Sequence, residues 1–391
     1  MKNSTIFIGL DVHKDFIAVA HAQHGQKVME ERQIINESQS IRRLVGRLAR
    51  HQKPLSFFYE AGPCGYGLYR QIHQLGSSCS VVAPSKIPRC PGDRVKTDRR
   101  DAKMLARLAR SGDLVSVWVP GQQHEAIRDL VRCRCDFVDQ SRRIRQQINS
   151  MMLRHQRPWG RDKWTQAHRR WLAEQKFSHS QLQATLDHYL AGLESVEQQI
   201  TVIERQMLES LQGWELKPLV DGLMAMRGVK LITGMSIVAE LGDMSRFSRP
   251  ESLMSFVGLV PSEHSSGTHR FRGGITRTGN SQVRSLLVES AWSARHRPNV
   301  SKALAERSRW ASTAVREIAF AAQQRLHRRF HRLLRRGKNS KQSVTAVARE
   351  KIGFFWAIAM QVAKEQSQLK IPFAGHLLEY EIENNFNMVT A

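Results

Sequence analysis

The hydrophobic period of this chain changes partway along its length, and that change limits the folds open to it. Up to about residue 83, apolar residues come in strand-length runs at 6–10, 16–20, 27–35, 55–59 and 79–83, with helical stretches at 38–51 and 66–75 between them. Three leading strand signals joined by short turns, then strand–helix–strand–helix alternation, predict a layered α/β domain on a mixed sheet. Beyond that point the period is helical, so the expected class is α/β plus α. The 391 residues suffice for more than one core. The expected boundaries are 1–120 for the α/β domain, 121–215 for a helical region, 216–365 for a mainly helical C-terminal domain, and a tail at 366–391 with no assigned role.

The helical middle carries its own signature. Leu182, Leu186, Tyr189, Leu193, Val196, Ile200, Ile203 and Met207 recur in alternating steps of four and three, with polar residues between them. Over about 182–211 this is either a coiled-coil heptad or one amphipathic helix packed on its own domain. An arginine-dense helical stretch at 125–155 precedes it, and Pro158 and Gly160 mark a break between the two arms. Further on, the pattern predicts helix to 241, a loop at 242–248, a helix after Pro250, a long Gly/Ser/Thr-rich loop at 261–280, and helix thereafter. Residues 223–234 faintly suggest a helix-hairpin-helix, although Lys230 stands where that motif prefers its second glycine.

Charge identifies the class of partner. Lys and Arg number 60 against 35 Asp and Glu, a net charge of +25, which calls for a polyanion. Residues 325–336 read RLHRRFHRLLRR, six arginines with no acid among them, and they would repel one another unless an anion neutralised them. No apolar run approaches the ~20 residues of a membrane span, so the expected location is the cytoplasm. The five cysteines, Cys64, Cys79, Cys90, Cys133 and Cys135, contain no Cys-x-x-Cys pair, which argues against a disulfide framework or a structural zinc.

Four carboxylates stand out by position. Asp11 follows a strand in GLDVHK, Glu60 follows another in FYEAGP, and Asp98 and Asp101 lie three apart at a helix start in KTDRRDAKML. Residues three apart share a helix face, and strand ends are where open α/β sheets gather functional groups. A cluster of acids is unfavourable unless cations occupy it, and oxygen ligands without His or Cys point to Mg²⁺ or Mn²⁺, which can polarise a scissile phosphate. Taken singly, each acid also fits a turn or helix-capping role.

The segment 261–287 combines small residues with His269, Arg270, Arg272, Arg277 and Arg284. Glycines let a backbone approach phosphate closely and arginines grip it bidentately. A serine here, Ser265 or Ser266, is a candidate nucleophile, though Ser-Gly in a loop is commonly a turn. Arg325, Arg328, Arg329 and Arg332 complete the candidate nucleic-acid contacts.

These motifs together resemble the DEDD-type insertion-sequence transposases, a family of bridge-RNA-guided serine recombinases related to the Piv-type DNA invertases. GLDVHK, FYEAG and KTDRRDA carry the resemblance in the first half. FVGLVPSEHSSG and GGITRTGNSQVRSLL carry it in the second. The resemblance implies a RuvC-like, ribonuclease-H-type domain with Asp11, Glu60, Asp98 and Asp101 as its metal-binding tetrad, a helical coiled-coil arm, and a transposase domain with Ser266 as nucleophile. It further implies a noncoding bridge RNA that pairs with donor and target DNA, a tetramer joined partly through the coiled coil, and action at the bacterial nucleoid. The expected function is cutting and rejoining DNA through a Mg²⁺-assisted phosphoserine. The alternatives are a RuvC-like structure-selective nuclease with no serine intermediate, and a nucleic-acid-binding protein without catalysis. Where RNA pairing reads the target, the DNA sites are not written in the protein.

Overall fold

The structure, a computed structural model, describes residues 5–30, 33–88, 97–266 and 269–368. The chain divides into two compact units, Met1–Pro120 and Gly121–Ala391.

The first unit is built in layers. Its strands and helices run β1 (Ile6–Val12), β2 (Phe16–Ala22), β3 (Met29–Glu30), β4 (Ile34–Ile35), α1 (Ser38–Ala49), β5 (Leu55–Glu60), α2 (Gly67–Gln74), β6 (Ser78–Val82) and α3 (Asp98–Ser111). The sheet order is β3-β2-β1-β5-β6, with β4 also pairing β2. β1 is antiparallel to β2 and parallel to β5, which is parallel to β6. The third strand expected at 27–35 is split into the two short pieces β3 and β4, each paired with β2.

Period-two alternation gives the sheet two different faces. Ile6, Ile8 and Leu10 point with Leu55, Phe57 and Tyr59 into a core closed by Ile41, Leu44, Val45 and Leu48 of α1 and Leu68 and Ile72 of α2. On the opposite face, small residues lie where β1 and β2 meet α3. Ala18, Ala20 and Ala22 of β2 pack against Ala102 and Ala106 of α3, and Gly9 lies beside them in the register. A Cβ on Gly9 would stand 2.2 Å from the Ala102 carbonyl oxygen and 2.5 Å from the Ala106 nitrogen. Glycine at this position is what lets α3 lie directly on β1.

The second unit opens with an antiparallel helical hairpin. Its helices are α4 (Gln122–Arg154) and α6 (Ser180–Leu211), with the short α5 (Gln166–Ala173) between them. Leu186 and Leu193 pack on Ile148, Met151 and Met152, while Ile203, Met207 and Leu211 join Ile127 and Val131 in the core of the unit. The heptad stripe is therefore covered by α4 of the same chain, which is the second of the two readings of that stripe. Ion pairs Arg134–Glu204 and Arg145–Glu197, both at 2.6 Å, fasten the hairpin along its length.

The remaining elements are α7 (Lys217–Met224), α8 (Leu231–Leu241), α9 (Pro250–Phe256), β7 (Pro261–Ser266), β8 (His269–Ile275), α10 (Ser281–Ala291), α11 (Lys302–Arg307), α12 (Thr313–Arg335) and α13 (Ser340–Gln368). They surround a core centred on Ile352, Phe355 and Ile358 of α13. One expectation is corrected here. The stretch expected as a loop at 261–280 holds a two-stranded antiparallel hairpin, because its backbone groups pair across strands although its side chains are mostly polar. The tail expected from 366 begins within α13, and its residues 369–391 lie outside the described residues, as does Cys90.

Lys351 of α13 is fully buried, and its Nζ donates to the carbonyls of Arg227 at 2.8 Å and Ser290 at 2.9 Å. Burial pushes its ammonium down to about 7, and the charge of Arg307 adds to the fall. Between that value and the ordinary lysine range, the unfolded chain holds a proton that the folded chain has released, so stability should rise with pH by up to about 1.4 kcal/mol per unit. Urea midpoints at about pH 7 and about pH 9 should show this rise in the unaltered protein and lose it in Lys351→Met. An identical rise in both proteins would mean that Lys351 stays charged throughout.

Candidate active site

Of the four acids, Asp11 and Asp98 come within ligand distance of each other, where β1 ends and α3 begins. Asp11 occupies the same face of β1 as Gly9, the face α3 covers. Leu10 pairs with Tyr59 in the parallel register, so the next positions along the two strands are Asp11 and Glu60. Asp98 and Asp101 fall in the first turn of α3. The close approach over Gly9 brings that turn to Asp11, and the charges of Asp101 and Asp98 both act on the Asp11 carboxyl. Thr97, at the helix N-cap, makes no capping hydrogen bond with its side chain. The capping geometry that would explain T-D-x-x-D structurally is not formed by that residue.

A fifth residue belongs to the cluster. His13 Nε2 lies 3.2 Å from Asp11 Oδ2 and 3.4 Å from Asp98 Oδ1. Its ring stacks on Phe16 at 4.7 Å, and its carbonyl accepts a 2.7 Å hydrogen bond from Asn36 Nδ2. The acids expected as an all-oxygen set thus have an imidazole beside them: a turn of only three residues between β1 and β2 returns it toward them. Two ligands about 2.1 Å from one ion and at right angles are about 3 Å apart, so the spacing of Asp11, His13 and Asp98 fits a shared divalent ion. With a nitrogen donor present, chemistry alone no longer singles out Mg²⁺.

Partial burial holds the Asp11 carboxyl above the usual carboxylate range. The hydrogen bond and charge of His13 pull the other way, and the charges of Asp101 and Asp98 reinforce the rise. This is the electrostatic condition of a site that gains by taking up a cation.

The second unit presents the serine. Ser266 is exposed at the turn end of β7 and pairs with His269 across the hairpin, while Ser265 pairs with Arg270 and donates to Glu263 Oε1 at 3.0 Å. Two glycines set the base of the hairpin. Gly258 and Gly279 both have φ near +68°, and a Cβ on either would strike backbone next to the other: Thr278 O at 2.2 Å from Gly258, and Phe256 O at 2.0 Å from Gly279.

The candidate arginines divide into two groups. Arg284 ties off the glycine crossing by donating to the carbonyls of Val257, Thr278 and Gly279. Arg325 and Arg329 form ion pairs with Glu350 of α13 at 3.2 and 2.9 Å. The lack of an acid within 325–336 is thus made good by an acid from the neighbouring helix. Arg277, Arg328 and Arg332 are exposed, and the side chains of Arg270 and Arg272 lie outside the described parts. Cys133 and Cys135 are free thiols, and Cys135 Sγ accepts from Gln282 Nε2. Among the described residues no helix is long and apolar enough to cross a membrane.

Two family models match the chain. One, described as transposase of the DEDD type found in IS110 elements, covers residues 8–156 and so includes all four acids and His13. The other, described as the transposase IS116/IS110/IS902 family, covers residues 220–306, including the serine hairpin. A putative transposase of Sinorhizobium fredii is 47% identical over 364 residues, which is 92% of this chain and 90% of the relative. The transposase for insertion sequence element IS1533 of Leptospira borgpetersenii is 29% identical over 337 residues, covering 84% of this chain and 96% of that protein.

Proposed function

The chain belongs to the IS116/IS110/IS902 family of transposases, enzymes that break and rejoin DNA, and on that premise we propose that it does so with a divalent ion on its acids and Ser266 as covalent nucleophile. The observation that carries this reading is the convergence of Asp11, His13 and Asp98 within ligand distance of one another. Asp11, Glu60, Asp98 and Asp101 would hold Mg²⁺ or Mn²⁺, with His13 beside them. A bound ion supplies positive charge against a phosphate whose negative charge grows in the transition state. Exposed Ser266 would attack a DNA phosphate, while Arg277, Arg328 and Arg332 would grip the flanking backbone. The charge of +25 suits both DNA and a noncoding RNA partner. Self-association as a tetramer belongs to the same reading, but the heptad stripe lends it no support, since that stripe is already covered within the chain.

The test is a denaturing gel. The protein, purified with its co-purifying RNA, is incubated with DNA spanning its own gene and flanks, with and without Mg²⁺. A protein–DNA adduct that needs Mg²⁺ and vanishes in Ser266→Ala supports the serine reading. A second reading is favoured by the grouping of Asp11, His13 and Asp98 within one unit: a RuvC-like nuclease that uses water. It is supported by Mg²⁺-dependent cut ends without any adduct, and by full activity of Ser266→Ala.

A further inference from the structure

The hairpin of the second unit sorts its neighbouring serines onto opposite faces. Ser265 opposes Arg270 and Ser266 opposes His269, and residues directly opposite in an antiparallel pair share a face. The Ser265 hydroxyl is committed on its own side, donating to Glu263 Oε1 at 3.0 Å. Ser266 instead shares its face with His269 and, two residues further along β8, with Phe271. Ser266 and His269 are both exposed, and Phe271 keeps 69% of its surface in solvent. An exposed aromatic ring is the kind of surface on which a nucleobase can stack.

We propose that His269 is the proton acceptor for Ser266, an assignment that rests on the serine reading above. A neutral hydroxyl is a weak nucleophile and needs a base within hydrogen-bond reach. Directly opposed residues have Cβ atoms about 5 Å apart, a gap that an imidazole on one strand spans to a hydroxyl on the other. In the step, the Ser266 Oγ lone pair forms the new bond to phosphorus as its proton passes to the free ring nitrogen of His269. The phosphorus–oxygen bond to the departing deoxyribose breaks, and that oxygen leaves with the bonding pair and takes a proton from solvent. The base pairs with Ser266 and not Ser265, so the register also selects between the two serines.

The experiment compares the intact protein with Ser265→Ala, Ser266→Ala and His269→Ala on the same DNA, following adduct formation by denaturing gel and DNA binding by gel shift. We expect binding by all four, no adduct from Ser266→Ala, and an adduct from Ser265→Ala at close to the intact rate. His269→Ala should form it about 10²-fold or more slowly, with partial rescue by free imidazole, which a merely structural histidine would not allow. An adduct formed by His269→Ala at the intact rate, or a slow one that imidazole does not rescue, overturns the assignment while the serine reading stands. An adduct that survives in Ser266→Ala, or none from the intact protein, removes the serine reading itself.

Discussion

Gly9→Val should destabilise the first unit by about 3 kcal/mol or more and take the ion site with it. A side chain at Gly9 meets backbone, with the Ala102 carbonyl oxygen 2.2 Å from the new Cβ, the Ala106 nitrogen 2.5 Å away and Leu105 Cβ at 2.9 Å. No rotamer relieves contacts made by Cβ itself, so α3 must lift from β1. The layer of Ala18, Ala20, Ala22, Ala102 and Ala106 then opens, and Asp98 and Asp101 move away from Asp11. Urea unfolding should show the lowered midpoint, and Mg²⁺ should no longer raise it. Gly9→Ala should shift both readings in the same direction. A Gly9→Val protein with unchanged midpoint and unchanged response to Mg²⁺ would show that the close packing of α3 on β1 does not build the site.

Asp11→Asn should lower the rate of DNA breakage by about 10³ or more, roughly 4 kcal/mol at the transition state, without a comparable loss of stability. The carboxyl is held above its usual range by burial and by Asp101 and Asp98, so the apo fold gains little from its charge. An amide of the same shape removes like-charge repulsion, at the cost of the attraction between Asp11 and His13 at 3.2 Å. In metal-free buffer the melting temperature should stay level or rise. The measurements are cleavage rate and thermal melts with and without Mg²⁺. Retained breakage would mean that the acid cluster is not the reaction centre, and a large fall in the metal-free melt would mean that Asp11 holds the fold.

The layered first unit was legible because its sheet has two distinct faces, and each leaves a period-two trace in Ile6, Ile8 and Leu10 or in Ala18, Ala20 and Ala22. The placement of Asp11 beside Glu60 followed from the strand signals that precede them, although Asp11 lies within β1, which runs one residue further to Val12, and Glu60 is the last residue of β5. What joins Asp98 to them was less legible, since it depends on the absence of a side chain at Gly9, and periodicity does not register an absence. His13 stood in plain view within GLDVHK, yet only the three-residue turn to β2 returns its ring to the acids. The β7–β8 hairpin escaped notice because Ser, His, Arg and Gly alternate without an apolar face. The fates of the arginines were hidden for a different reason: Glu350 lies on another helix, and the carbonyls that occupy Arg284 are exposed only by the crossing of Gly258 and Gly279. Long-range partners of charged groups are set by packing, which local sequence does not record.

The most direct test of the account is Mn²⁺ binding by the intact protein, followed by electron paramagnetic resonance in the absence of nucleic acid. The arrangement of Asp11, His13 and Asp98 predicts tight uptake in the unaltered chain, with a nitrogen coupling that disappears in His13→Ala, and loss of that uptake in Asp11→Asn and Asp98→Asn. Equal uptake by all four proteins, or none by the unaltered one with DNA present as well as absent, would contradict it.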